Sequence, residues 1–334
     1  NVNIFIKTNV QKILFENLKA IGIQIMIKGK LENIYANKEV IVASGSINSP
    51  KLLQLSGIGD EHELRQLGIE VTHHLPGVGK NLQDHLEIYV QHESKISDTL
   101  YSLFNNPFLK VFSGIQWFLS KKGLLAHSHL ELGGFVKSDA RFDHPNIQLH
   151  FFPALVINHG LTNPDRHAFQ FHASPNRPTS RGWVKLRSSN PEEDPVIQFN
   201  YLETEEDRLQ MRDCVKIARN VFSQKSFQHY AGKELRPGKN VQDNDVLDEI
   251  IRDTSDTAYH PSCTNKMGDD KFSVVDDETK VRGISNLRVI DSSIMPDIVS
   301  GNINAATLMI AEKASDIILG REEEAIDVDI FAAA

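Results

Sequence analysis

The run KEVIVAS (38–44) constrains this chain more than any other segment. It is short, β-branched and polar only at its start, the pattern of a strand buried on both faces in a parallel sheet. The run stops at Gly45, and SPKLLQLSGI (49–58) continues with helical spacing. A buried parallel strand, a glycine turn and a helix in succession predict an α/β architecture. They also aim the backbone N–H groups of a helix start at a phosphate or a ring. Around this unit, residues 2–7, 10–16 and 20–28 alternate as strands, 60–67 reads as a short polar helix, and LPGVGKN (75–81) is a Gly/Pro turn.

From about residue 86 the texture changes. NIQLHFFPALV (146–156) and HAFQFHAS (167–174) are aromatic and β-branched strands, and RGWVKLRSSNPEEDPVIQFNYL (181–202) is two strands joined by a proline-rich loop. Amphipathic helices follow at 205–223 and 244–253. A final region, 256–320, holds a strand at 286–291 and a helix at 304–319 that Gly320 suits as a C-terminal cap. The expectation is therefore mixed α/β, with an antiparallel middle domain flanked by helices.

At 334 residues the chain exceeds one ordinary core, which favours two domains or one discontinuous one. Its charge of −8 and the lack of a basic block argue against nucleic acid as a partner. Two cysteines, Cys214 and Cys263, are too few for a disulfide scaffold or a Cys-rich zinc module. Nor do His73, His74, His127, His129 or His150 show metal-ligand spacing, so no metal is expected. The longest apolar stretch, 303–319, is broken by Glu312, Lys313 and Asp316, so no membrane span is expected. The chain opens at Asn1 in strand-like alternation without a targeting signal, as if in mid-domain, and 321–334 reads as a frayed tail.

Three clusters carry the chemistry: GSINSPKLLQLSGIG (45–59) with LPGVGKNLQDH (75–85), AYHPSCTNKMG (258–268), and NLRVIDSSIMPDIVSGNINAATLMIAEKASDIIL (286–319). Taken alone, His260 reads more readily as a hydrogen-bonded structural histidine than as a catalytic one. In this order and spacing, the three together resemble the glucose–methanol–choline (GMC) family of flavin-dependent alcohol oxidoreductases. The first cluster has that family's signature at Gly45, Ser49, Pro50, Ser56, Gly57 and Gly59. LPGVGKNLQDHLEIYVQ, HLELGGFVKSD, KLRSSNPEEDPVIQFNYL, TAYHPSCT and SIMPDIVSGNINA resemble the members that oxidise choline. The resemblance runs from about residue 8 to 320.

It implies an FAD-binding Rossmann-like domain in two segments, 1–85 and 256–320, around a substrate domain at 86–255. Family members begin with a GxGxxG turn that holds the FAD pyrophosphate. No GxGxxG occurs in these 334 residues, so the chain is expected to be the C-terminal part of a longer enzyme.

The resemblance further implies His260 as the general base that takes the alcohol proton while hydride leaves for the flavin. Asn302 is implied as the group steadying the developing alkoxide, although just before a helix it reads also as a plain N-cap. Val10, Ala43, Ser44, Gly45, Tyr259, Asp291, Ser292, Asn302 and Asn304 are implied to meet the cofactor. A fixed cation such as choline calls for a carboxylate or aromatic faces. Glu131 and Tyr259 resemble those groups, although Glu131 reads equally as a solvent-facing strand residue. The implied reaction is choline to betaine aldehyde, toward glycine betaine, with a quinone as electron acceptor and, in a eukaryote, association with the mitochondrial inner membrane. Another primary-alcohol dehydrogenase or oxidase of the family, or a catalytically silent protein, remain alternatives.

Overall fold

The computed structural model describes residues 2–130, 132–157 and 160–321. They fall into two compact units: 2–83, 181–199 and 261–321 form one, and 84–180 with 200–260 form the other. The segment 181–199, expected in the middle domain, belongs to the first unit. Its strands Gly182–Lys185 and Val196–Gln198 form a small sheet with Lys80–Leu82.

In the first unit, Thr8–Glu16, Lys19–Ile27 and Lys30–Tyr35 form an antiparallel meander. Lys28 and Gly29 turn its second hairpin with positive φ at both positions, the backbone a type I′ turn requires. Residues 2–7, expected as a strand, enter no sheet, and the polar strand Lys30–Tyr35 was not anticipated. Val40–Val42 pairs in parallel with Leu287–Val289, as its pattern predicts. Val40, Val42, Leu287 and Val289 join Ile13, Leu53, Ile58 and Ile294 in the core. The chain then turns at Gly45 into the helix Gly45–Leu55. Asn304–Leu319 closes the unit and ends on Gly320 in the left-handed region.

The second unit is built on an antiparallel sheet. Its strand order is Ala231–Arg236, Leu86–Ser94, Ala168–Pro175, Ile147–Phe152 and Leu132–Val136. The helix Glu205–Ser223 is capped by Thr204 and carries Glu205, Glu206 and Asp207 in its first turn, where the helix dipole favours acids. It buries Met211, Cys214, Val215, Ala218 and Phe222 in one core with Ile88, Val90, Ile147, Phe169 and Phe171. Asn244–Thr254, capped by Asp243, adds Leu247 and Ile251. The helices Tyr101–Asn105 and Pro107–Ser120 were not anticipated.

Candidate active site

The strand Leu86–Ser94 places the second unit's polar cluster. Asp256 and Thr257 pair with Glu87 and Leu86 at its start, which lays the loop 258–260 against Asp84 and His85. Hydrogen bonds fix that loop. The Ala258 N–H donates to the His85 carbonyl at 2.9 Å, and the His260 N–H donates to Asp84 Oδ1 at 2.9 Å. Asp84 Oδ2 accepts from the hydroxyls of Thr257 and Tyr201, and Thr257 Oγ1 in turn accepts from the Tyr259 N–H. These bonds hold Tyr259 at φ +61, a strained conformation for a bulky residue. Tyr259 is 70% exposed. Asp84 itself is buried, and that burial outweighs its donors and pushes its carboxyl up.

The ring of His260 meets that of His85 edge-on, with their Nδ1 atoms 2.9 Å apart. His85 is 1% exposed, and its Nε2 lies 2.9 Å from the Asn176 carbonyl oxygen. Burial pulls His85 down to about 4, so it is neutral at physiological pH. Burial also lowers His260; the charge of Glu87 pulls it back up, and His150 pushes it further down.

Glu87 is buried with an assigned set of donors. Gln170 Oε1 accepts from Gln91 and from the Val156 N–H, so Gln170 Nε2 donates to His172 Nε2 at 2.7 Å. His172 Nδ1 therefore donates to Glu87 at 2.8 Å. Burial raises the Tyr89 hydroxyl, and Glu87, to which it donates, adds to the rise. The arrangement is a neutral, hydrogen-bonded imidazole at His260 beside a buried carboxylate, suited to accepting a proton. Asp84, His85, Glu87 and His172 carry this site, and the sequence reading passed over them. The Asp-His that closes LPGVGKNLQDH was its one visible trace. Among the described residues, no three His, Cys, Asp or Glu side chains are arranged to hold a metal.

In the first unit, Asp291 ties together the segments expected at the cofactor. Its Oδ2 accepts from the Gly45 N–H at 2.9 Å and from the Ser49 hydroxyl at 2.5 Å; its Oδ1 caps Ser293 N at 2.8 Å. Ser49 Oγ also accepts from the Ser44 N–H, and the Ser46 and Ser292 hydroxyls share a 2.8 Å bond. Asp291 is thus a brace for the turn at 43–45. Gly45 has φ +79, which accounts for glycine there, and a Cβ would meet no atom within 4 Å.

Ala43 and Ser44 are exposed at the end of the parallel strand. Val10 and Ser44 share a cleft of about 330 Å³ with Asn9, Asn48, Lys51 and Pro191. That combination of open strand end, helix start and polar cleft fits a nucleotide cofactor. Asn302 and Asn304 are exposed, and Ile303 occupies the cap position of the following helix, so Asn302 is not its N-cap. Glu131 lies outside the described residues.

Two GMC oxidoreductase family profiles match, an N-terminal one over residues 1–87 and a C-terminal one over 178–311. The chain belongs to the GMC oxidoreductase family. It is 50% identical over 317 residues to the human mitochondrial choline dehydrogenase, covering 94% of this chain and 53% of that protein. It is 46% identical over 312 residues to an oxygen-dependent choline dehydrogenase of Photobacterium profundum, covering 93% and 55%. An FAD-dependent oxidoreductase from Chaetomium thermophilum shares the fold, with TM-score 0.82 and 26% identity over 94% of this chain and 61% of that one. The chain spans about half the length of the curated relatives it matches.

Proposed function

We propose that the protein to which this chain belongs oxidises choline to betaine aldehyde, using FAD, with His260 as the general base. The observation that carries the reading is the imidazole of His260, held through its backbone by Asp84 and through its ring by His85. The likeness to choline dehydrogenases over most of the chain supports the substrate. FAD, when bound, supplies the hydride acceptor. Val10, Ala43, Ser44, Gly45 and Ser292 would hold it, braced by Asp291, with Tyr259, Asn302 and Asn304 as further contacts.

His260 takes the hydroxyl proton on its Nε2, and the imidazolium so formed is stabilised by the nearby Glu87 carboxylate. Asn302 is proposed to donate to the developing alkoxide, and Glu131 with Tyr259 to face the trimethylammonium group. The test is the rate of flavin reduction in the full-length His260→Ala protein. A well-placed base contributes about 10²–10⁴, so a loss under tenfold would remove His260 from this role.

A quinone is proposed as acceptor, with mitochondrial localisation by likeness to the mitochondrial relatives and peripheral contact with the inner membrane. No described helix is long and apolar enough to cross a membrane. The helix Pro107–Ser120, however, exposes Phe108, Val111, Phe112, Phe118 and Leu119. Lys110, Lys121 and Lys122 are the only Asp, Glu, Lys or Arg residues between 99 and 130, in a chain of net charge −8. An apolar helix face with a purely basic fringe complements an anionic bilayer surface.

A further inference from the structure

We propose that His85 is a positioning residue that fixes the ring tautomer of His260, so that Nε2 is the basic nitrogen; this rests on His260 being the base. The Asn176 carbonyl can only accept, so the Nε2 of His85 that faces it at 2.9 Å carries the proton. A neutral imidazole has one N–H, so His85 Nδ1 is an acceptor. Its partner at 2.9 Å, His260 Nδ1, must then be the donor.

The burial that holds His85 near 4 keeps this direction throughout the neutral range. The bond persists when His260 gains a proton, because both of its nitrogens then carry hydrogen and Nδ1 still donates. It strengthens at that point, as charge-assisted bonds do, and so favours the product of proton transfer. Asp84 orients the backbone of His260, while Glu87 and His150 act on its charge.

The experiment uses the full-length flavoprotein and two substitutions. His85→Leu removes the acceptor. His85→Asn places an amide oxygen where Nδ1 stands. ¹⁵N NMR of ring-labelled histidine reads the tautomer directly, and stopped-flow flavin reduction by choline reads its consequence. In the wild type, His260 is expected as the Nδ1–H tautomer; in His85→Leu a mixture appears. Flavin reduction then falls about 10- to 100-fold, less than the roughly 10⁴ that a wrongly locked tautomer costs a serine-protease triad.

FAD content and KM should stay near wild type, and the basic group's pKa in the pH–rate profile should fall, since the imidazolium has lost an acceptor. His85→Asn should recover most of the rate. An Nε2–H tautomer in the wild type, an unchanged rate and profile in His85→Leu, or an Asn variant no better than Leu would each overturn the proposal. An Nδ1–H tautomer in a protein whose His260→Ala variant still reduces flavin normally would leave the tautomer assignment intact and overturn the base instead.

Discussion

Replacing Asp84 tests whether the site is held as described. One carboxylate receives the His260 N–H on one oxygen and the Thr257 and Tyr201 hydroxyls on the other. Asp84→Ala removes all of these acceptors at once. The backbone N–H cannot turn elsewhere, and a buried donor left unsatisfied costs about 1–3 kcal/mol. The two hydroxyls belong to half-buried residues and can rotate, so each is assigned about 1 kcal/mol. The total is about 3–5 kcal/mol, at the upper end of single substitutions.

Asp84→Asn keeps the shape and an acceptor for His260, and the hydroxyls need only reverse to accept from its amide, for about 1–2 kcal/mol. Urea denaturation of the full-length protein reads both values. Flavin reduction should fall more than about 100-fold in the Ala variant, because the base is no longer presented, and far less in Asn. Equal losses for the two variants, or an Ala cost under 1 kcal/mol, would show that Asp84 does not organise the loop.

Three further outcomes are expected. His85 sits near 4 when folded against 6.5 for a free histidine, so the folded state disfavours its protonation. Its contribution, about 3 kcal/mol, is complete above pH 6.5 and is lost as the pH falls toward 4. Melting temperature measured across that range should fall less steeply in His85→Asn than in the wild type. Glu131→Gln should raise KM for choline at least about tenfold while leaving a neutral primary alcohol unaffected. An equal change for both substrates would remove the cation-holding role. Phe112→Asp combined with Phe118→Asp should abolish co-sedimentation with cardiolipin-containing vesicles without altering flavin reduction; retained binding would move the membrane contact elsewhere.

What the sequence made legible was local. The helix Glu205–Ser223 announces itself by Thr204, three acids and a regular apolar face, and Asn304–Leu319 by its ending on Gly320. The parallel strand at Val40–Val42 was readable because its run is short and wholly β-branched, although only Val40 and Val42 are buried and Ile41, expected inside, is exposed. The helix Pro107–Ser120 was not, since its aromatic and β-branched residues resemble a strand and much of its apolar surface stays exposed.

Residues 2–7 alternate like a strand without finding a partner, and Lys30–Tyr35 becomes one because a turn at Lys28–Gly29 delivers it. Strands 182–185 and 196–198 belong with Lys80–Leu82, about a hundred positions earlier, a pairing that no local pattern encodes. The site divides the same way. His260 stands in a motif, whereas His85 acquires its meaning only from a ring 175 positions away.

The most direct test is the visible spectrum of the purified full-length protein under anaerobic conditions, before and after choline. Loss of the oxidised flavin bands on adding choline is the predicted result. A bound flavin that choline leaves unchanged, but that another primary alcohol bleaches, would contradict the proposed substrate. A protein that holds no flavin when FAD is supplied would contradict the account as a whole.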